Sequence, residues 1–261
     1  MRIIGLVSFW DESPTWLAAT VSSLGRFCDH VIVLDGRYAL YPDKRLQSGT
    51  GEHYAAIDAA RAVGMGITLH TAPATFPDEM SKRTKLFELA ALESTPGEDW
   101  YFVLDADEVV VESFDKEGIH HYLDALDESV TTVTAKLWEK ADPHETAART
   151  ELSMKLPVDW RYECASPRFW RVHENMRVVG YHYNYVGDDA DGNPVELWGD
   201  DHVVQRDKTT WASLCAHVVL ENRNRMRAKS RDKDRQQYYD DRDLCGLETL
   251  KPLSELERVS V

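Results

Sequence analysis

The sequence predicts an α/β fold: a mostly parallel, doubly wound sheet flanked by helices. Two observations lead there. Continuous apolar runs, of the kind that fill strands buried on both faces, alternate with amphipathic helical segments over the first ~110 residues. In addition, several of those runs end in polar or acidic residues, as in "SFWDES", "VLDG" and "VLDADE". In an open α/β sheet the carboxyl ends of the strands are where ligands bind.

The elements follow in order. "RIIGLVSFW" (Arg2–Trp10) reads as a first buried strand, and "SPTWLAATVSSLGRF" as a helix with Ser13 as N-cap and Pro14 at its first position. "DHVIVLDG" is a second strand, ending at Asp35 and Gly36. A polar loop leads to the helix "GEHYAAIDAARAVGMG" and the short strand "ITLHTA". "DEMSKRTKLFELAALES" is strongly helical, and "DWYFVLDADE" is a further strand. Beyond it, "TTVTAKLWEK" alternates like a strand that continues the sheet. "SPRFWRVHENMRVVGYHYNYV" reads as a β-hairpin turning near "HENM", and "VELWGDDHVVQRD" as another strand. The segment from Thr209 to Leu244 reads as a long charged helical region, with His217 on a helix face.

Composition sets bounds on function. The chain has 261 residues and 43% apolar content, enough for one large domain with a sizeable core. A formal charge of −15 argues against general nucleic-acid binding, which needs a basic footprint. Four scattered cysteines, without a C-x-x-C pair, match neither a zinc site nor a disulfide scaffold. No apolar window reaches membrane-spanning length and the N-terminus lacks a signal-peptide pattern, so the expectation is a cytoplasmic protein.

The acids carry the functional argument. Asp105, Asp107 and Glu108 stand together at the end of a buried strand, where like charges disfavour their own ionisation. A divalent cation, a basic side chain or water could relieve them. Hard oxygen ligands on a tight turn suit Mg²⁺ or Mn²⁺, which bind carboxylates together with substrate phosphates. "SFWDES" offers no Gly-rich phosphate loop after the first strand, so phosphate would be held by metal and by basic groups. Lys82, Arg83 and Lys85 in "SKRTK" are the candidates; alone, that run equally suits a solvated helix face.

The order of "WDESPTWLAATVSSL", "HVIVLDG", "MSKRTKLFELAAL" and "DWYFVLDADEVV" resembles the nucleotide-sugar-binding half of family 2-like glycosyltransferases of the GT-A fold. The likeness covers residues 1–112, leaving 113–261 as an acceptor-side half of the same single domain. It implies a metal-dependent enzyme that transfers sugar from a nucleoside diphosphate sugar to a soluble acceptor. By that resemblance Ser8, Phe9, Asp11 and Asp35 approach the nucleobase, and Lys82 or Arg83 reaches base or diphosphate. Asp105 contacts ribose or metal, Asp107 ligates the metal, and Glu108 coordinates or positions the acceptor. A histidine from the second half completes the metal site in such enzymes, which singles out His202, with His182 as alternative. An inverting reaction also needs a carboxylate base, with Glu163, Asp188, Asp189, Asp191, Asp200 and Asp201 as candidates. Two rival classes are a nucleotidyltransferase, which usually carries the missing Gly-rich loop, and a non-catalytic acidic binding module.

Overall fold

A computed structural model describes residues 1–39, 45–140, 161–179, 185–189, 191–198 and 211–222. The first half follows the apolar pattern. β1 (Ile3–Phe9), β2 (His30–Asp35), β3 (Gly66–Thr71) and β4 (Trp100–Asp105) lie side by side in parallel, in the order β3-β2-β1-β4. α1 (Pro14–Leu24), α2 (Thr50–Ala62) and α3 (Glu79–Ala91) connect them. Pro14 opens α1 as expected, although the Ser13 side chain makes no capping bond. Asp78 caps α3 by accepting from the Ser81 amide.

The two faces of the sheet bury different partners. Ile3, Val7, Val31, Val33 and Phe102 point toward α1, α2 and α4 (Lys116–Asp124), whose Leu17, Val21, Ala56, Ala60, Ile119 and Leu123 pack there. Ile4, Leu6, Ile32, Tyr101 and Val103 face the other way, onto Leu86, Phe87 and Ala90 of α3. Alternation within each strand therefore gives two cores, one on each face.

The second half extends the sheet. β6 (Thr132–Lys140) and β7 (Arg161–Arg171) add antiparallel beside β4, in the order β4-β7-β6. β11 (Trp211–Ser213) and β12 (Val219–Asn222) pair in parallel with β6. β5 (Glu108–Glu112) closes the far edge against β12. Only Ala106 and Asp107 separate the end of β4 from the start of β5, so the far edge of the sheet must return toward its middle. The acidic turn sits at that return.

Two expectations change here. β7 and β8 (Glu174–Val178) do not form a hairpin: β8 joins β9 (Tyr185–Asp188) and β10 (Pro194–Trp198) in a separate three-stranded sheet. The reason is occupancy, since β4 and β6 already take both edges of β7. Residues 211–222 are two strands and a turn rather than helix, because their backbone pairs with β6 and β5; His217 lies in that turn, stacked on Phe114 at 4.2 Å. Among the described residues no helix is long and apolar enough to cross a membrane.

Candidate functional site

The carboxyl ends of β1, β2 and β4 are adjacent, and they bring together most of the expected residues of the first half. Asp35 ends β2 on the α2 side and is fully buried. Its carboxylate accepts from the Ser48 amide and hydroxyl, both at 2.7 Å, and His53 Nε2 lies 2.7 Å away. The Asp11 amide donates to the same Ser48 hydroxyl at 2.7 Å, and the Asp11 carboxylate accepts from Arg45. Asp11 holds φ = +50°, a left-handed conformation that Asp tolerates better than most residues. Asp35 thus stands beneath the rim and fastens loop 45–49 to it. That place differs from the direct nucleobase contact expected of it. Gly36 follows because a Cβ there would lie 2.6 Å from Ala72 Cβ.

α3 supplies the cations from the opposite face. Lys82 is only 1% exposed, so the solvated-face alternative does not hold. Its ammonium donates to the Phe9 carbonyl at 2.6 Å and lies 5.2 Å from the Tyr38 ring. Burial lowers its pKa to about 7, against the pull of Asp35 and Glu79. Lys82 therefore secures the end of β1 from within. Arg83 is the group that turns to the acids: it bonds Glu79 Oε1 through Nε and Nη2, at 3.0 and 2.9 Å, and also grips Asp105. Burial opposes its charge, but Asp105 and Glu79 outweigh that and raise its pKa further.

The turn from Asp105 to Glu108 is braced on both sides. Thr20 of α1 donates from its hydroxyl to the carbonyls of Ala106 and Glu108, at 2.9 and 2.7 Å. Glu108 is 1% exposed; one oxygen accepts from the Asp105 amide at 3.1 Å and the other from Arg168 at 2.7 Å. Burial pushes its pKa up to about 8; Arg168 works against that rise, while Asp105 and Asp107 add to it. Asp107 is buried, whereas the Asp105 side chain is 36% exposed and faces solvent. Basic side chains thus stand among these acids in the form of Arg83 and Arg168.

Ser8 lines a pocket of about 10 Å³ with Arg83, Phe87, Val103 and Tyr185, room for roughly one water molecule. Glu163 lies on β7 and Asp191 on the exposed turn before β10. His182, His202, Asp200 and Asp201 fall outside the described residues. Among the described residues, no group of three or more His, Cys, Asp or Glu side chains is arranged to hold a metal ion. The sequence reading passed over Ser48, His53, Glu79 and Arg168. Only Arg168 left a signal, as a charge set within the apolar "SPRFW" strand.

No family model and no curated protein matches this chain. Among solved structures it is similar to mannose-6-phosphate isomerase from Helicobacter pylori, at 10% identity and a TM-score of 0.34, over 54% of this chain. The chain spans about half of that protein's length, 52%. A likeness this slight carries no argument about fold or function.

Proposed function

We propose that this chain is a metal-dependent glycosyltransferase of the GT-A fold, transferring sugar from a nucleoside diphosphate sugar to a soluble acceptor. One observation carries the reading. Asp35, Lys82, Arg83 and the Asp105–Glu108 turn meet at the ends of three adjacent parallel strands, the edge of an α/β sheet at which ligands bind. Asp105 and Asp107 are hard oxygen donors of the kind Mg²⁺ or Mn²⁺ takes, and the exposed side of Asp105 gives an ion a way in. When bound, such an ion would offset the charge that grows on the departing nucleoside diphosphate. Arg83 keeps a fixed positive charge beside that turn. Asp35, through Ser48, holds loop 45–49 as one wall of the donor site, and Lys82 fixes the strand end beneath it.

The base remains to be chosen among carboxylates. Arg177 and Asn175 bond Asp188, and Asn193 and the turn amides bond Asp189. Burial raises the Asp188 pKa, but those bonds outweigh it and lower it; the turn amides lower that of Asp189. Both are thereby weaker bases than an ordinary aspartate. A panel of nucleoside diphosphate sugars, scored for hydrolysis with and without Mn²⁺, tests the proposal. Metal-dependent release of nucleoside diphosphate from at least one donor is expected. No release from any donor overturns it.

A second reading rests on the arginines. Arg83 and Arg168 already offset part of the acidic charge, as they would in a non-catalytic acidic binding module. Such a module would gain no thermal stability from Mn²⁺ with uridine diphosphate.

A further inference from the structure

Arg168 and Glu108 are a costly pair to bury. Arg168 is 8% exposed and Glu108 1%. Among the described residues, besides the 2.7 Å bond to Glu108, the guanidinium reaches the Val103 carbonyl at 3.5 Å, and its Nε is buried without a partner there. Apolar side chains of similar volume at two such positions commonly leave stability unchanged or improve it. What the pair provides is position rather than stability.

Its contacts show which position. Glu108 opens β5, while Arg168 belongs to β7, sixty residues further along the chain. One Glu108 oxygen takes Arg168 and the other takes the Asp105 amide, so both point back into the protein rather than toward the rim. We propose that Glu108 and Arg168 are positioning residues: a bridge between the two halves that sets the conformation of the Asp105–Asp107 turn, and through it the grip on a divalent cation. The part concerning the cation rests on the glycosyltransferase reading; the part concerning the turn rests on these contacts alone. Glu108 is thereby removed from the metal's own ligands and from the acceptor. Without Arg168, one Glu108 oxygen loses its charged donor, and nothing from β7 then holds the side chain against the Asp105 amide.

Two variants test this by two measurements. Glu108→Gln keeps the shape but presents an amide NH₂ to one of the two donors, so one contact must break. The double variant Arg168→Met with Glu108→Leu removes both charges together and is expected to melt within a few degrees of the native protein. In both, amide exchange at residues 105–108 should quicken by roughly tenfold while the rest of the sheet is unchanged. Mn²⁺ affinity, titrated with uridine diphosphate present, should fall roughly 10- to 100-fold even where the melting temperature is retained. Native exchange at 105–108 in either folded variant overturns the proposal, as does native Mn²⁺ affinity in a protein that binds the ion. Faster exchange in a protein whose native form binds no Mn²⁺ upholds the bridge and sinks the glycosyltransferase reading instead.

Discussion

The two ends of the central sheet use acids in opposite ways. At the amino ends of the strands, Asp29 and Asp99 stand apart, each among its own donors. Asp99 accepts from the Arg2 amide and guanidinium and from the Thr95 amide, at 2.7, 2.9 and 3.0 Å. Asp29 accepts from the Ile3 amide and pairs with Lys116 and His120. Burial raises the Asp29 pKa, but these partners outweigh it and the carboxyl sits below its usual range. At the carboxyl ends, three acids fall within four positions, and burial beside the others drives Glu108 up to about 8. An acid with its own donors fixes the chain. Here Asp105 pairs with Arg83 and Glu108 with Arg168, yet crowding still drives Glu108 up, a perturbation found at functional sites and in structural ion-pair networks alike.

Substitutions can break or sharpen this contrast, and the largest effect is expected at the crowded end. On the proposed function, Asp107→Ala should lower metal-dependent donor turnover by at least about a hundredfold, since the proposed metal site would lose a charged ligand. Near-native turnover would remove Asp107 from the metal site. At the other end, Asp99→Ala should cost about 1–2 kcal/mol of stability by removing the bonds to the Arg2 and Thr95 amides, and leave donor affinity unchanged in the folded protein. Weakened donor binding there would blur the distinction between the two ends.

Smaller effects are expected beneath the rim. Asp35→Ala releases Ser48 and His53, and donor affinity should fall about tenfold with the metal requirement retained. Unchanged affinity by calorimetry would detach loop 45–49 from the donor. Lys82 gives the smallest effect at neutral pH, and its sign is fixed by linkage. Its folded pKa of about 7 lies below the usual 10.5, so between those values the unfolded chain binds the proton more readily and stability rises with pH. Below about 7 both states are charged and the full destabilisation is present. Relative to Lys82→Met, the native protein should therefore gain about 1–2 kcal/mol between pH 7 and 9, measured by urea unfolding. A flat difference over that range would contradict a buried, readily deprotonated amine.

How much of this was legible follows the same division. β1, β2 and β4 could be read because parallel strands covered on both faces are continuous apolar runs, and α1 and α3 because Pro14 and Asp78 mark helix starts. The cluster at Asp105–Glu108 could be read because it is local. Its arginine partner could not: Arg168 meets Glu108 only because β7 lies beside β4, a pairing that no short window contains. Nor did periodicity show that Lys82 is buried, since a polar helix face can also cover the end of a strand. The strands at 211–222 read as helix in sequence for a similar reason, as their backbone partners lie about eighty residues earlier, in β6.

The most direct test of the contrast is a melting curve taken with and without Mn²⁺ plus uridine diphosphate, on three proteins. The native chain and Asp99→Asn should show the same rise in melting temperature, because the amino end of the sheet plays no part in binding. Asp107→Ala should show none. A native chain that gains nothing, or an Asp107→Ala variant that gains as much as the native one, would contradict a metal and nucleotide site at the carboxyl ends of the strands.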